Sequence, residues 1–372
     1  MPLTLIFQIA WLLALAGTFV YILLQLILYI GCRKAAIFLP KESPTRPFSV
    51  IIAARNEYKN LQKYLPTLLG QKYPVFEVIV VLDRNTDESE ALLQAFQSDF
   101  PLLKYLKIDS LPEKWVGKKY ALQQGIEAAK YDYLAFTDAD CAVGKKWLQA
   151  INAHFGTETK VVLGLSPYFE ASTFLNAWIR YETYYTAFQM VGFAAFGLPY
   201  MGLGRNIAYK KSFFFENKGF DSFKSRLSGD DDLLINSFAD KKFTQVMVSP
   251  ENMSFSPAKT TWKAWLRQKF RHVSASTAYT PASKLLLTAF HFAHIGMYFF
   301  LFVAILGGGT SFWQGFSLYF CGNLLKWLIF AQSTRYIPAA KLGYLYPLWD
   351  LMMVVYIAMF VPIGMLRKPT WT

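Results

Sequence analysis

The chain has 372 residues, 54% hydrophobic and 17% aromatic, with a formal net charge of +13; that length suits one soluble domain of about 250 residues plus membrane segments. The basic balance fits an anionic membrane surface, and with no basic-aromatic module in the sequence there is no case for nucleic acid as a partner. Cys32, Cys141 and Cys321 have neither disulfide nor metal-ligand spacing, which fits structural thiols in a reducing compartment.

Residues 3–30 are almost continuously apolar and carry no charge. This exceeds the roughly 20 residues that span a bilayer and lacks the short core of a signal peptide, so an uncleaved anchor over 1–34 is expected. Arg33, Lys34, Lys41 and Arg46 follow it closely, and the positive-inside rule then puts the next domain, 35–283, in the cytoplasm. Three more apolar runs, 285–306, 312–331 and 345–366, make 284–372 a membrane region. The expectation is a multi-pass protein of a plasma membrane, most simply a bacterial one. Three spans after a cytoplasmic domain would leave Arg367 and Lys368 outside, so either one segment is re-entrant or interfacial or the rule fails at this short tail.

After a linker at 43–47, residues 48–54 read as a buried strand ending in Arg55-Asn56-Glu57. Helical spacing follows over 60–69. A second strand, 76–82, ends in Asp83-Arg84-Asn85-Thr86-Asp87, then come a helix to about 96 and a strand at 103–108. Gly117-Lys118-Lys119 opens a helix over 120–130 that leads into the strand 133–136. Strands alternating with helices predict an α/β fold with a largely parallel sheet. The polar clusters after the strands should gather on one edge of that sheet, where open α/β sheets bind ligands.

The strand 133–136 runs into Asp138-Ala-Asp140. Two carboxylates in that position are hard oxygen ligands for Mg2+ or Mn2+, which fill their remaining positions with phosphate oxygens; alternatively one of them caps a helix starting near Lys145. No Gly-x-Gly-x-x-Gly follows the first strand and no Walker motif occurs, and Gly202-x-Gly204-Arg205-Asn206 reads as a turn. Residues 174–198 form either a core helix or a helix on the membrane surface beside an acceptor site. Asp230-Asp231-Asp232 then precedes a helix. One acid suffices as a cap, whereas three repel one another and raise a pKa toward the range a general base needs. Residues 261–274 are amphipathic: Trp262, Trp265, Leu266, Phe270 and Val273 share a face suited to the bilayer interface. Lys269 lies within that arc and would snorkel to head groups, while Gln268 and Arg271, with His272 beside them, face elsewhere.

In this order, Ala54-Arg55-Asn-Glu57, Asp83, Gly117-Lys118, Asp138-Ala-Asp140, Gly202-x-Gly204, Asp230-Asp231 and Gln268-x-x-Arg271-His272 resemble the membrane glycosyltransferases of family 2, including the ceramide glucosyltransferase-like branch and relatives of polysaccharide synthases. The resemblance implies a GT-A fold and a nucleotide-sugar donor, commonly a UDP-sugar. It assigns Ala54, Arg55, Glu57, Asp83, Lys118, Asp138 and Gly204 to the nucleotide-sugar, and Asp140 with Asp138 to the metal. Asp231 becomes the catalytic base, with Asp230 beside it, and Gln268 and Arg271 match Gln-x-x-Arg-Trp. This chain has His272 where the family usually has Trp. One base and no covalent step imply inversion at the anomeric carbon.

About four spans are few for a polymer channel, so a non-processive enzyme with a lipid acceptor is expected; a processive polysaccharide synthase and a non-catalytic nucleotide-sugar binder are the alternatives. Lys326 and Asp350 fall at similar depth in the third and fourth apolar runs. They are expected to pair across the helices, the alternative being a snorkelling lysine and a helix-capping acid.

Overall fold

The computed structural model describes residues 3–38, 44–307 and 309–367; Lys41 and Lys368 lie outside them. α1 (Leu3–Ala36) is followed by β1 (Phe48–Ala54), α2 (Tyr58–Leu69), β2 (Phe76–Asp83), α3 (Ser89–Asp99), β3 (Leu103–Ile108), α4 (Lys119–Ala128) and β4 (Tyr133–Phe136). Then come β5 (Ala142–Val143), α5 (Trp147–His154), β6 (Val161–Leu163), α6 (Phe174–Ala195), β7 (Ile207–Lys210), α7 (Lys211–Glu216), α8 (Asp232–Phe238), β8 (Thr244–Val246) and β9 (Ser254–Phe255). The chain ends with α9 (Trp262–Ser276), α10 (Pro281–Leu306), α11 (Gly309–Ser333), α12 (Tyr346–Val355) and α13 (Val361–Leu366), the last two joined by a π-helical turn at Tyr356–Phe360.

Among the described residues, seven strands form one sheet in the order β3-β2-β1-β4-β7-β6-β8. β3, β2, β1 and β4 are parallel, as the alternation of strands and helices predicts, while β7 runs antiparallel to both β4 and β6. Period-2 alternation splits β1 between the two faces. Phe48, Val50 and Ile52 join Leu61, Leu65 and Trp147 in one core, and Ile51 joins the other with Ile79, Val81 and Ile126. This second core is continuous with the membrane helices through Tyr21, Phe290 and Trp349.

α6 makes that continuity. It is buried over most of its circumference, so of the two expectations for 174–198 the core helix holds. It crosses α1 at two glycines: a Cβ on Gly31 would stand 2.6 Å from the Gly192 carbonyl oxygen, and one on Gly192 would stand 2.7 Å from Leu28. Only glycine permits this backbone-to-backbone approach.

Leu5–Ala36, Pro281–Leu306 and Ala340–Leu366 are long and apolar enough to cross a membrane. α11 occupies the run expected at 312–331 but carries Asn323 and Lys326. Lys326 and Asp350 form an ion pair with both side chains buried. Around it, Tyr298 donates to Asp350 Oδ2 (2.8 Å), Lys326 Nζ lies 3.2 Å from the Tyr298 hydroxyl, and His294 Nε2 lies 3.2 Å from Asp350 Oδ1. The cluster extends to α6 through Tyr185, whose hydroxyl is 3.2 Å from His294 Nδ1, and to α1 through Tyr21 stacked on that imidazole.

One expectation is corrected. Lys269 does not snorkel: it is buried and ion-paired with Glu182 of α6, because the aromatic arc of α9 packs on protein. Trp265 meets Trp178 and Tyr356, and Trp262 meets Phe174. The fourth run begins with Tyr346 against Phe330 and passes through the π turn. α13 then returns to α9, with Gly364 beside Phe270 and Val273 and the Arg367 guanidinium 5.0 Å from the Phe270 ring.

Candidate active site

The carboxyl ends of β1, β2 and β4 open on one edge, and their loops are tied together. Asn56, in the left-handed region with φ 56°, accepts from the Thr86 amide (2.8 Å), and Asp87 accepts from the Tyr58 amide (2.9 Å). Asp83 is buried at the end of β2 and accepts two hydrogen bonds from Arg84, at 2.8 and 2.9 Å. Glu57 accepts from Asn60 (2.5 Å). Burial pushes its carboxyl above the usual range, and the charges of Asp140 and Asp138 add to the shift. Ala54 is buried at the end of β1, and Arg55 is exposed at the rim.

Lys118 joins two of the expected clusters. It precedes α4 and places Nζ 2.9 Å from Asp138 Oδ1 and 3.0 Å from Asp230 Oδ2. Burial alone would discharge the ammonium, but the charges of Asp138 and Asp230 outweigh it and hold the lysine protonated. Burial likewise works against the Asp230 carboxylate, and Lys118 and Lys119 outweigh that too, keeping its pKa low.

Asp231 caps α8 and receives two amides. Its Oδ2 accepts from Gly204 N at 2.6 Å and its Oδ1 from Asp232 N at 2.8 Å. Burial, and then the charge of Asp230, raise its pKa. The result is an aimed carboxylate with raised proton affinity, which is what a general base requires. Asp232 turns the other way and accepts from the Tyr279 hydroxyl at 2.9 Å. Burial and the charge of Asp231 push its pKa up to about 8. One turn on, Asn236 accepts from the Thr280 amide (2.7 Å) and donates to the Tyr200 carbonyl (2.8 Å). α8 thereby holds the turn between α9 and α10. On α9, Gln268 is half-buried, and an Arg271 guanidinium nitrogen lies 3.4 Å from His272 Nε2. His272 opens to the cleft, yet the surrounding protein and the charge of Arg271 keep its imidazole well below the usual range.

Residues 49–215 match the model of glycosyl transferase family 2. By that match, residues 49–215 are a family 2 glycosyltransferase domain. It is 33% identical over 124 residues to glycosyltransferase AglE of Haloferax volcanii, covering 32% of this chain and 40% of that one. It is 32% identical over 125 residues to a 4,4'-diaponeurosporenoate glycosyltransferase of Staphylococcus aureus, covering 33% of this chain and 32% of that one. The chain thus spans two fifths or less of the length of these curated relatives. Among solved structures, the mannosyltransferase PcManGT from Pyrobaculum calidifontis, in complex with GDP-Man and Mn2+, is similar in fold. The TM-score is 0.59 at 17% identity, covering 94% of this chain and 99% of that one.

In this glycosyltransferase domain the register Phe136↔Ile207 explains how the Gly202–Asn206 turn reaches the carboxylates. Arg205 precedes Ile207 by two residues and Asp138 follows Phe136 by two, so they come together at one end of the pair. The Arg205 guanidinium lies 4.5 Å from the Tyr168 ring and hydrogen-bonds Ser256. Despite burial it stays charged, aided by Tyr168, Cys141, Asp138 and Asp140. Asn206, fully buried, braces the turn: it accepts from the Trp147 indole (3.0 Å) and donates to the carbonyls of Leu165 (2.6 Å) and Asn252 (2.8 Å). The resemblance gives a role in this turn to Gly204 alone; Arg205 and Asn206 stand directly before the strand that pairs with β4.

Among the described residues no group of three or more His, Cys, Asp or Glu gathers to hold a metal. A divalent ion bound partly by diphosphate oxygens needs only one or two carboxylates. Asp138 and Asp140 fit that use. No salt bridge among the described residues reaches Asp140. Burial, with the charge of Asp138, raises its pKa, and a cation held at Asp140 would relieve this.

Proposed function

We propose that the protein is a non-processive, inverting glycosyltransferase that moves a hexose from a nucleoside diphosphate sugar, most simply a UDP-hexose, to the hydroxyl of a membrane lipid. Residues 1–34 serve as anchor, 35–283 as cytoplasmic catalytic domain and 284–372 as membrane region. The observation that carries this reading is Asp231: a half-buried carboxylate with raised proton affinity, aimed by the Gly204 amide, beside Asp230, which shares Lys118 with Asp138.

In this reading Ala54, Arg55, Glu57 and Asp83 hold the base and ribose. Asp138 and Asp140 hold Mg2+ or Mn2+, which when bound neutralises the diphosphate as it leaves. Lys118, Arg205, Gln268, Arg271 and His272 supply fixed positive charge and donors around the leaving oxygens. Asp231 takes the acceptor proton as the new bond forms to the anomeric carbon and the bond to the phosphate oxygen breaks on the opposite face. A divalent ion and a nucleoside diphosphate donor gain support from the neighbour captured with GDP-Man and Mn2+. A lipid-like acceptor gains support from the relative named for diaponeurosporenoate. The return of α13 to α9 supports an interfacial or re-entrant last segment, which keeps Arg367 on the cytoplasmic side.

The test is to incubate purified full-length protein with UDP-hexoses or GDP-mannose, Mn2+ and extracted lipids. Release of nucleoside diphosphate that depends on lipid, with products heavier by one hexose, is expected. A ladder of masses would instead favour a polysaccharide synthase, and binding without release would favour a nucleotide-sugar binding protein.

A further inference from the structure

α6 and α9 meet in three rungs. Phe174 faces Trp262 with ring centroids 6.4 Å apart, Trp178 faces Trp265 at 5.9 Å, and Glu182 is ion-paired with Lys269. Successive rungs lie one helical turn apart on both helices, so α6 and α9 run parallel and in step. The first two rungs are aromatic. The third puts a lysine in the middle of the apolar arc of α9, between Trp265, Leu266 and Val273. Both charged residues are buried, and among the described residues no other salt bridge reaches either of them. Thr186 donates to the second oxygen of Glu182 (3.4 Å).

A buried ion pair adds little net stability, because two charges leave water to make one contact. What such a pair supplies is direction. Apolar side chains packed in an arc let a helix roll or slide at small cost, whereas a buried polar contact holds one register. At about 100° per residue, His272 stands about 60°, Gln268 about 100° and Arg271 about 160° to the same side of Lys269. Fixing the direction of Lys269 therefore fixes all three. The acid it meets is on a helix that is itself held: Gly192 of α6 lies against α1, while Tyr184 and Tyr185 hydrogen-bond Ser333 of α11 and His294 of α10. We propose that the Glu182–Lys269 pair is a positioning contact that sets the roll of α9 and so aims Gln268, Arg271 and His272 at the diphosphate of the donor. The inference rests on the glycosyltransferase reading for what those three residues meet.

The experiment compares the full-length parent in detergent with Lys269→Met, Glu182→Met and the variant carrying both changes. Three quantities are read with Mn2+ present: the melting temperature, the affinity for UDP and GDP relative to uridine and guanosine, and turnover of nucleotide-sugar with lipid extract. Each single change strands a buried charge, so it should lower melting temperature and turnover together. In the double variant two side chains of similar length fill the space without charge, and the melting temperature should return close to the parent's. Turnover should nevertheless stay down by about a hundredfold, because the groups around the leaving oxygens are no longer aimed. The preference for diphosphate over nucleoside should stay about tenfold lower, as lost charge-assisted hydrogen bonds require. Turnover and preference that return with the melting temperature would show the pair to be packing alone and overturn the proposal. If the double variant loses its cooperative melt, Lys269→Arg against Lys269→Met decides: the arginine, which keeps the pair, should retain most of the diphosphate preference, and equal losses in the two overturn the proposal. A parent that binds UDP or GDP but turns over no nucleotide-sugar defeats the glycosyltransferase reading, and the binding comparison then judges the pair by itself. A parent that binds neither nucleotide defeats both.

Discussion

Replacing one partner of the Lys326–Asp350 pair leaves the other charge in a site where both side chains are at most 1% exposed. Stranding a buried charge in this way costs about 3–5 kcal/mol. The surroundings make the two single changes unequal. After Lys326→Met, Asp350 keeps two neighbours, the Tyr298 hydroxyl at 2.8 Å and the His294 imidazole at 3.2 Å. After Asp350→Asn, Lys326 keeps the Tyr298 hydroxyl and the faces of the Tyr298 and Tyr21 rings, 4.7 and 5.9 Å from their centroids, but has no anion. Lys326→Met should therefore fall at or below the lower end of that range, and Asp350→Asn near its upper end. In the double variant neither charge remains, so the second change should cost little, with a coupling energy of at least about 3 kcal/mol. Thermal melting of the four proteins in one detergent, followed by tryptophan fluorescence, reads the cycle. Additive losses, or a costlier Lys326→Met than Asp350→Asn, would refute the reasoning.

Asp231→Asn keeps the shape of the cap but cannot take the acceptor proton, so turnover should fall on the order of a hundredfold or more while donor binding survives; if Asp230→Asn alone does this, the base is one residue earlier. Asp140→Ala should abolish transfer without lowering the melting temperature, and full activity of the parent in excess chelator would sink the metal assignment. Gly204→Ala would place a Cβ 3.2 Å from Asp231 Oδ2; turnover should drop at least about tenfold with donor affinity unchanged, and parent-like turnover would mean that this amide does not aim the base. Asp232 binds its proton more tightly when folded, with a pKa of about 8 against an ordinary 3.8, so its share of stability is full below about pH 4 and is lost as pH rises through 8. Asp232→Asn should flatten the decline in melting temperature between about pH 4 and 8, and an unchanged slope would remove Asp232 as its source.

The strands and their polar ends were legible because β1, β2 and β4 are short apolar runs that stop at charged residues, and a parallel sheet brings such ends to one edge. The Lys326–Asp350 pair was legible from depth alone, since a helix rises by a fixed amount per residue. What escaped was whatever depends on a partner distant in sequence. The aromatic arc of α9 has the pattern of a bilayer-facing helix, and nothing local reveals that α6 and α13 cover it. Lys269 was misplaced with it, because its partner Glu182 lies on another helix. Arg205 and Asn206 read only as part of a turn for the same reason: their role comes from β7 inserting antiparallel beside β4.

The glycine crossing of α1 and α6 bears on how the protein is made. Gly31 leaves the ribosome about 160 residues before Gly192, so at 5–20 residues per second the first helix waits roughly 8–30 s with its α6-facing side unfilled. During that interval the bare backbone at Gly31 is open to any other helix. A foreign anchor grafted in place of α1 would insert as readily but present a side chain where α6 must lie against bare backbone. Such a chimera would reach the membrane and then stall, its nascent domain displaced from the helix that should receive it.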